Sequence, residues 1–306
     1  MALEDIRVVY GNENGEIIIE KESGEAHRLI DVYIDVSDIT FWAYMDVKVG
    51  TKGIIRIPLR TFNYNLFTKP EGGFNKMSVF GFIRKILGED VYVEADEDED
   101  IIMKVCYGQN NPIDIRGKSV AVYEVIEAGI DKTKLLHSGC DEYLIMPDIY
   151  HIATVSGDNA SIDTTVSLDS VSQMDGLPMV KDGYVVPAGT KFVLKTIIAD
   201  GYFESSGTKK YEKNILHIKK DTFELFSPIK MYGIHLEDSV GNTTVPRQNI
   251  AAFDLGRQNW LDCQDFVFEE GTEIGLEAEI KGSGTGTGIV TSIFSRVVMV
   301  MLKTKM

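Results

Sequence analysis

Apolar and polar residues alternate along most of this chain. In "IDVYIDVSDI" (30–39), Val32, Ile34 and Val36 fall on one side and Asp31, Tyr33 and Asp35 on the other. That period of two marks a half-buried strand. Comparable runs are "GIIRIPL", "VYVEAD", "DIIMKVCYG", "KSVAVYEVI", "KFVLKTIIA", "NILHIKK", "KMYGIHLE", "IGLEAEI" and "VTSIFSRVVMVML", separated by Gly, Asn, Asp and Pro clusters. Many short strands in this pattern predict a sandwich or a barrel.

The helical period is rare. In "NKMSVFGFIRKILGED", Val79, Phe80, Ile83, Ile86 and Leu87 follow i, i+3, i+4 spacing. Asn75 or Ser78 would cap the start and Gly88 the stop. "RQNIAAFDLGRQNW" (247–260) is a second helix candidate. The polar stretch 127–139 suggests a boundary between two β halves, residues 1–130 and 131–306. "VGTKGIIRI", "AGTKFVLKT" and "EGTEIGLEA" each place Gly-Thr and a charge at a strand start, an echo that suggests duplication. The polar stretch 156–176 is expected as an exposed inter-strand excursion with room for a short edge strand. "SIFSRVVMVMLKTKM" must be a central strand, since an uncovered run of this kind aggregates. Residues 303–306 are expected to be dispensable and Val297 to Leu302 essential.

Charge narrows the function. A net −16 at pH 7 disfavours a broad nucleic-acid footprint, which needs clustered Lys and Arg. The acidic N-terminus lacks the basic and apolar regions of a secretory signal, and no apolar run reaches membrane length, so a soluble chain is expected. Three scattered cysteines, Cys106, Cys140 and Cys263, read as reduced thiols.

Few motifs carry chemistry. "KGSGTGTGIV" puts glycine at 282, 284, 286 and 288. A phosphate loop needs GxxxxGK[ST], or GxGxxG leading into a helix; here a β-branched run follows, so an inter-strand turn is expected. In "EADEDEDI", Asp96, Asp98 and Asp100 alternate as candidate cation ligands beside Glu94, Glu97 and Glu99, although Ile101 stands where an EF-hand needs glycine. The alternative is a solvated hairpin tip. His137, Cys140, Asp141, Asp148 and His151 crowd together, but no spacing matches a metal or Cys-His motif. Trp42, Tyr44 and Trp260 are expected to fill cores rather than to form a sugar platform. No catalytic residue and no cofactor are assigned, and a non-enzyme is expected.

The helix-like "SVFGFIRKILGED" in the first half, "NIAAFDLGRQNW" in the second and the strand-rich "TEIGLEAEI…VVMVML" make the chain resemble the double jelly-roll major capsid proteins of tailless icosahedral viruses. The resemblance implies an all-β chain of two tandem jelly-roll-like β-sandwiches with short helices between strands. It implies a structural virion subunit, made in the host cytoplasm, that self-assembles as trimers into a shell. Its partners would be copies of itself and neighbouring capsid subunits, with minor capsid or internal membrane proteins beyond them, and no sequence-specific contact with nucleic acid. The alternative is a glycan- or receptor-binding sandwich module of phage or adhesin type. A cupin-like enzyme ranks last, because no His/Glu cluster lies on one strand.

Overall fold

The computed structural model describes residues 5–35, 43–59, 76–88, 91–108, 111–127, 142–225, 229–231 and 266–306. Contacts divide the chain into two compact units. One comprises Met1–Met146, Gln173–Pro178 and Met301–Lys305; the other comprises Pro147–Ser172, Met179–Val300 and Met306.

The first unit is a two-sheet roll. Its strands are β1 (Asp5–Tyr10), β2 (Glu16–Ile19), β3 (Glu25–Asp35), β4 (Ala43–Val49), β5 (Lys52–Pro58), β6 (Val93–Ala95), β7 (Ile101–Tyr107) and β8 (Ser119–Glu127). One sheet runs β1-β8-β3, with β6 and the short piece Lys76–Ser78 both pairing on the far side of β3. The other runs β2-β7-β4-β5. Ile17, Leu29, Val32, Met45, Ile55 and Val105 are fully buried between them. Each contributes about 1.5–3 kcal/mol by leaving water.

The second unit repeats the plan. β9 (Asp148–Gly157), β10 (Ser161–Ser167), β11 (Thr190–Ser205), β12 (Thr208–Lys220), β13 (Ile229–Lys230), β14 (Phe266–Phe268), β15 (Glu273–Thr285) and β16 (Ile289–Lys305) form sheets ordered β9-β16-β11-β14 and β10-β15-β12-β13. Numbered within each unit, both read 1-8-3-6 over 2-7-4-5. First strand lies beside last, and every successive pair except the fourth and fifth strands crosses between sheets: this is jelly-roll order. The chain is thus an all-β protein of two tandem rolls. The three Gly-Thr echoes do not mark the repeat, because they precede the fifth strand of one roll and the third and seventh of the other. The repeat lies in topology, not in that motif.

Helix α1 (Val79–Leu87) lies between the fifth and sixth strands of the first roll, capped by Ser78 and closed by Gly88, which adopts φ 73°. Its Val79, Phe80 and Ile83 are buried. The second helix candidate, 247–260, falls in the matching interval of the second roll but outside the described residues, as does nearly all of 127–139. Among the described residues no helix is long and apolar enough to cross a membrane.

β16 is central in its sheet, and Val297 to Leu302 are at most 4% exposed, as the apolar run requires. The strand continues past Leu302. Tyr143 and Glu142, in the short strand Glu142–Ile145, pair with Lys303 and Thr304, so these residues extend the strand rather than fray. The stretch 156–176 contains β10 and a three-residue strand at Ser170–Ser172, each at the edge of its sheet.

Candidate functional site

The glycine-alternating stretch is half strand and half turn. Gly282 and Gly284 belong to β15 and face the core of the second roll. A Cβ on Gly282 would lie 2.6 Å from the Phe203 ring, and one on Gly284 would lie 1.9 Å from Ser205 Oγ. Their bare backbones let the two sheets approach over the buried Ser205–Thr291 hydroxyl pair, 3.0 Å apart. In the turn, the Gly286 and Gly288 N–H groups donate to Asn159 Oδ1 (3.1 Å) and Asp158 Oδ1 (2.9 Å). The donors that would cradle a phosphate are therefore engaged by side chains of the β9–β10 turn.

The acidic run joins β6 to β7. Asp96 Oδ1 accepts the Glu97 N–H at 3.1 Å, and Asp98 is exposed. Asp100 Oδ1 accepts the Lys21 N–H at 2.7 Å, and Glu97 Oε2 accepts the Gly24 N–H at 2.7 Å. Two carboxylates of the run thus hold the turn that precedes β3. Glu94 pairs with Arg28 at 2.7 Å.

That turn builds a second cluster. Glu25 N–H donates to Glu22 O at 3.1 Å, and Gly24 sits at φ 84°, a left-handed conformation that L side chains rarely adopt. The turn sets Glu22 beside Glu25. The period of the strand then puts His27 on the same face as Glu25. One ligand atom from each of Glu22, Glu25 and His27 lies within 4.8 Å of the others. Arg7 of β1 joins them: NH1 is 3.1 Å from both Glu22 and Glu25, and NH2 is 2.8 Å from Asp5. His27 is 1% exposed, and its Nδ1 is buried with no hydrogen-bond partner. Burial, reinforced by the Arg7 charge, lowers the His27 pKa below its ordinary value. The Asp5 hydrogen bond, with Glu25 and Glu22 adding to it, raises the Arg7 pKa above its own.

Glu25 and His27, two residues apart on β3, correct the reading from sequence that no His/Glu cluster lies on one strand. The available signal was "KESGEAH", a Gly-containing turn between two glutamates running straight into an alternating strand. Asp96, Asp98 and Asp100 are not members of this group.

The other candidates are dispersed. Asp148 is buried against Arg296, and His151 Nδ1 lies 3.4 Å from Asp169. His137, Cys140, Asp141, Trp42 and Trp260 lie outside the described residues. Cys106 is buried, and desolvation raises its thiol pKa. Tyr44 is 5% exposed, with the Arg56 guanidinium 3.8 Å above its ring. Arg56 also pairs with Asp46 at 2.7 Å.

Two solvent-facing surfaces contrast. On the second roll, the outer face of the sheet containing β12 and β15 is a lattice of opposite charges. Lys213 meets Glu279 (2.8 Å), Lys219 meets Glu277 (2.6 Å), and Lys281 meets Asp163 (3.0 Å) and Glu212 (3.3 Å). On the first roll, β1 ends its sheet with an apolar outer row: Ile6, Val8 and Tyr10 are 59%, 53% and 67% exposed. An edge strand with such a row is a surface suited to a partner.

No family model matches the sequence, and no curated protein matches it. Among solved structures, the chain has a weak fold-level resemblance to the major capsid protein P2 of bacteriophage PM2, at 10% identity over 96% of this chain and 97% of that one, with a TM-score of 0.33. It is also similar to a peptide-N(4)-(N-acetyl-β-D-glucosaminyl)asparagine amidase at 10% identity, over 97% of this chain and 96% of that chain, with a TM-score of 0.25. A third likeness is to PNGase F, a glycosylasparaginase from Flavobacterium meningosepticum, at 10% identity over 97% and 96% of the two chains, with a TM-score of 0.22.

Proposed function

We propose that this protein is a structural, non-catalytic subunit that assembles as trimers into an icosahedral virion shell. The observation that supports this reading is the repetition of one roll topology, 1-8-3-6 over 2-7-4-5, within a single chain. Three copies around a three-fold axis would present six similar rolls. Such a near-hexagonal footprint tiles a surface, and closed symmetry limits growth to a defined particle. The exposed row Ile6, Val8 and Tyr10 gives the subunit an apolar edge for a neighbouring copy, while the charge lattice on the second roll suits water.

In this reading the partners are other copies, neighbouring capsid proteins and any minor or membrane proteins beneath the shell. The location is the virion. The test is light scattering on the purified chain, followed by negative-stain imaging, with Val8→Glu/Tyr10→Glu as the comparison. The reading expects a trimer, or shell-like particles, that the double variant disperses without loss of its folded signature. A monomer at every concentration overturns it.

A further inference from the structure

We propose that Glu22, Glu25 and His27 form a binding site for a divalent first-row transition ion such as Zn²⁺, closed by Arg7 in the metal-free chain. The site stands on the geometry of the β2–β3 turn and does not depend on the assembly reading.

Several independent features converge there. The turn at Gly24 and the period of β3 bring two carboxylates and one imidazole to a single point, with ligand atoms within 4.8 Å of one another. That donor set, mixed nitrogen and oxygen, suits zinc and its neighbours better than an all-oxygen calcium shell. The imidazole is not there as a solvated surface group. It is 1% exposed, it points into the cluster with Nε2 3.9 Å from Glu25 Oε2, and its Nδ1 has no partner. The nitrogen that faces the carboxylates is Nε2, and at 3.9 Å from Glu25 it is beyond hydrogen-bond distance and placed to ligate an ion drawn in between them.

Charge points the same way. Among the described residues, the ion pairs there join three carboxylates, Asp5, Glu22 and Glu25, to one guanidinium, Arg7, a surplus of two negative charges beside the imidazole. A divalent cation matches that surplus. Coordination at about 2.0–2.2 Å requires the ligands to draw closer than they stand. Glu22 can do so, because its side chain is 57% exposed. Arg7 can yield, because it would keep its contacts to Asp5, at 3.0 Å through Nε and 2.8 Å through NH2. The backbone bonds from Gly24 and Lys21 to Glu97 and Asp100 hold the turn in place meanwhile.

The test is calorimetric titration of zinc chloride into the chelator-treated full chain, beside Glu22→Gln, His27→Asn and Arg7→Met. We expect one ion per chain. Glu22→Gln, at an exposed position that leaves the fold intact, should weaken binding at least tenfold. Arg7→Met should tighten it several-fold, because the competing guanidinium is gone; a purely structural ion-pair cluster would not respond in that direction. Cobalt(II) substitution should give visible absorption bands that change in His27→Asn. The proposal is overturned if neither the native chain nor Arg7→Met takes up zinc. It is equally overturned if Glu22→Gln binds as the native chain does, or if calcium binds as tightly as zinc with no effect of His27→Asn. Each readout is independent of oligomeric state, so failure of the trimer and failure of the metal site are separable.

Discussion

Arg296 grips Asp148 in a buried two-pronged ion pair, Nε to Oδ1 at 2.5 Å and NH2 to Oδ2 at 2.6 Å, across the first and last strands of the second roll. The two side chains are 2% and 7% exposed. Tyr150, opposite Arg296 in register, stacks on Phe294 with centroids 6.1 Å apart. Removing one charge strands the other without water. Asp148→Leu or Arg296→Met alone should therefore cost about 3–5 kcal/mol, whereas the double replacement should recover most of the loss. Urea denaturation of the four proteins in a double-mutant cycle measures this. A double variant as unstable as the sum of the singles would contradict it.

Asp31 organises α1. Its Oδ1 accepts the Phe80 N–H at 3.0 Å and its Oδ2 accepts the Ser78 hydroxyl, while Ser78 Oγ accepts the Gly81 N–H at 3.0 Å. Arg84, one turn further on, donates to the carbonyls of Ile30 and Val91. Asp31→Ala leaves a buried N–H unpaired and should cost about 3 kcal/mol, against about 1 kcal/mol for Ser78→Ala. Equilibrium unfolding monitored by circular dichroism gives both figures; equal losses would mean that the cap acts through Ser78 alone.

The glycines of β15 should resist even a methyl group. Gly282→Ala meets the Phe203 ring and Gly284→Ala meets Ser205, both within the core. Each should lower stability by about 1–3 kcal/mol through overpacking. Gly271 faces open space, so Gly271→Ala carries only the cost of its positive φ of 76°, about 1 kcal/mol. Thermal unfolding ranks the three. A mild Gly284→Ala would mean that the sheets can separate more readily than their contacts imply.

The charge lattice sets a pH window. Hydrogen bonds from Lys210 and Lys281 lower the Glu212 pKa below its ordinary value, and one from Lys213 lowers that of Glu279. The unfolded chain then binds protons more readily than the folded one as pH falls through about 4.3, so stability is lost on the acid side. Lys219 and Lys281 have pKa values raised, first by their bonds to Glu277 and Asp163 respectively, so the folded chain keeps their protons longer, and stability is lost as pH rises past about 10.4. Lys281→Met should flatten both limbs of the melting-temperature profile, and the difference from the native chain should shrink in high salt. Identical profiles would show that these exposed pairs contribute nothing.

Much of this architecture was legible as pattern, and particular residues show where legibility stopped. Val32 and Ile34 sit in the core as their alternation requires, and Ser78 and Gly88 bound α1 as their chemistry requires. Asp31 reads as a solvent position because its partners, Ser78 and Phe80, lie far along the chain. The bulge at Ile30 is the subtler case. Val122 pairs with Asp31 and Tyr123 with Leu29, so one residue is skipped and the facing of β3 reverses. Before the bulge the inward set is Leu29, His27 and Glu25. Period-two reading begun at residue 30 therefore misses the alignment that makes the Glu22–Glu25–His27 cluster. Strand order had no local signature, since β1 finds β8 more than a hundred residues away.

The place of β16 at the centre of its sheet governs when this protein can exist as a folded object. β9 and β11 flank the strand on its two sides, so neither gains this shared neighbour until residues 289–300 have left the ribosome. The eight strands of the first roll, by contrast, have all emerged by residue 127, and only the flanking pieces of its unit, Gln173–Pro178 and Met301–Lys305, come later. Translation thus imposes an interval in which one roll can condense while the other waits open, its strand edges available to chaperones or to other nascent chains.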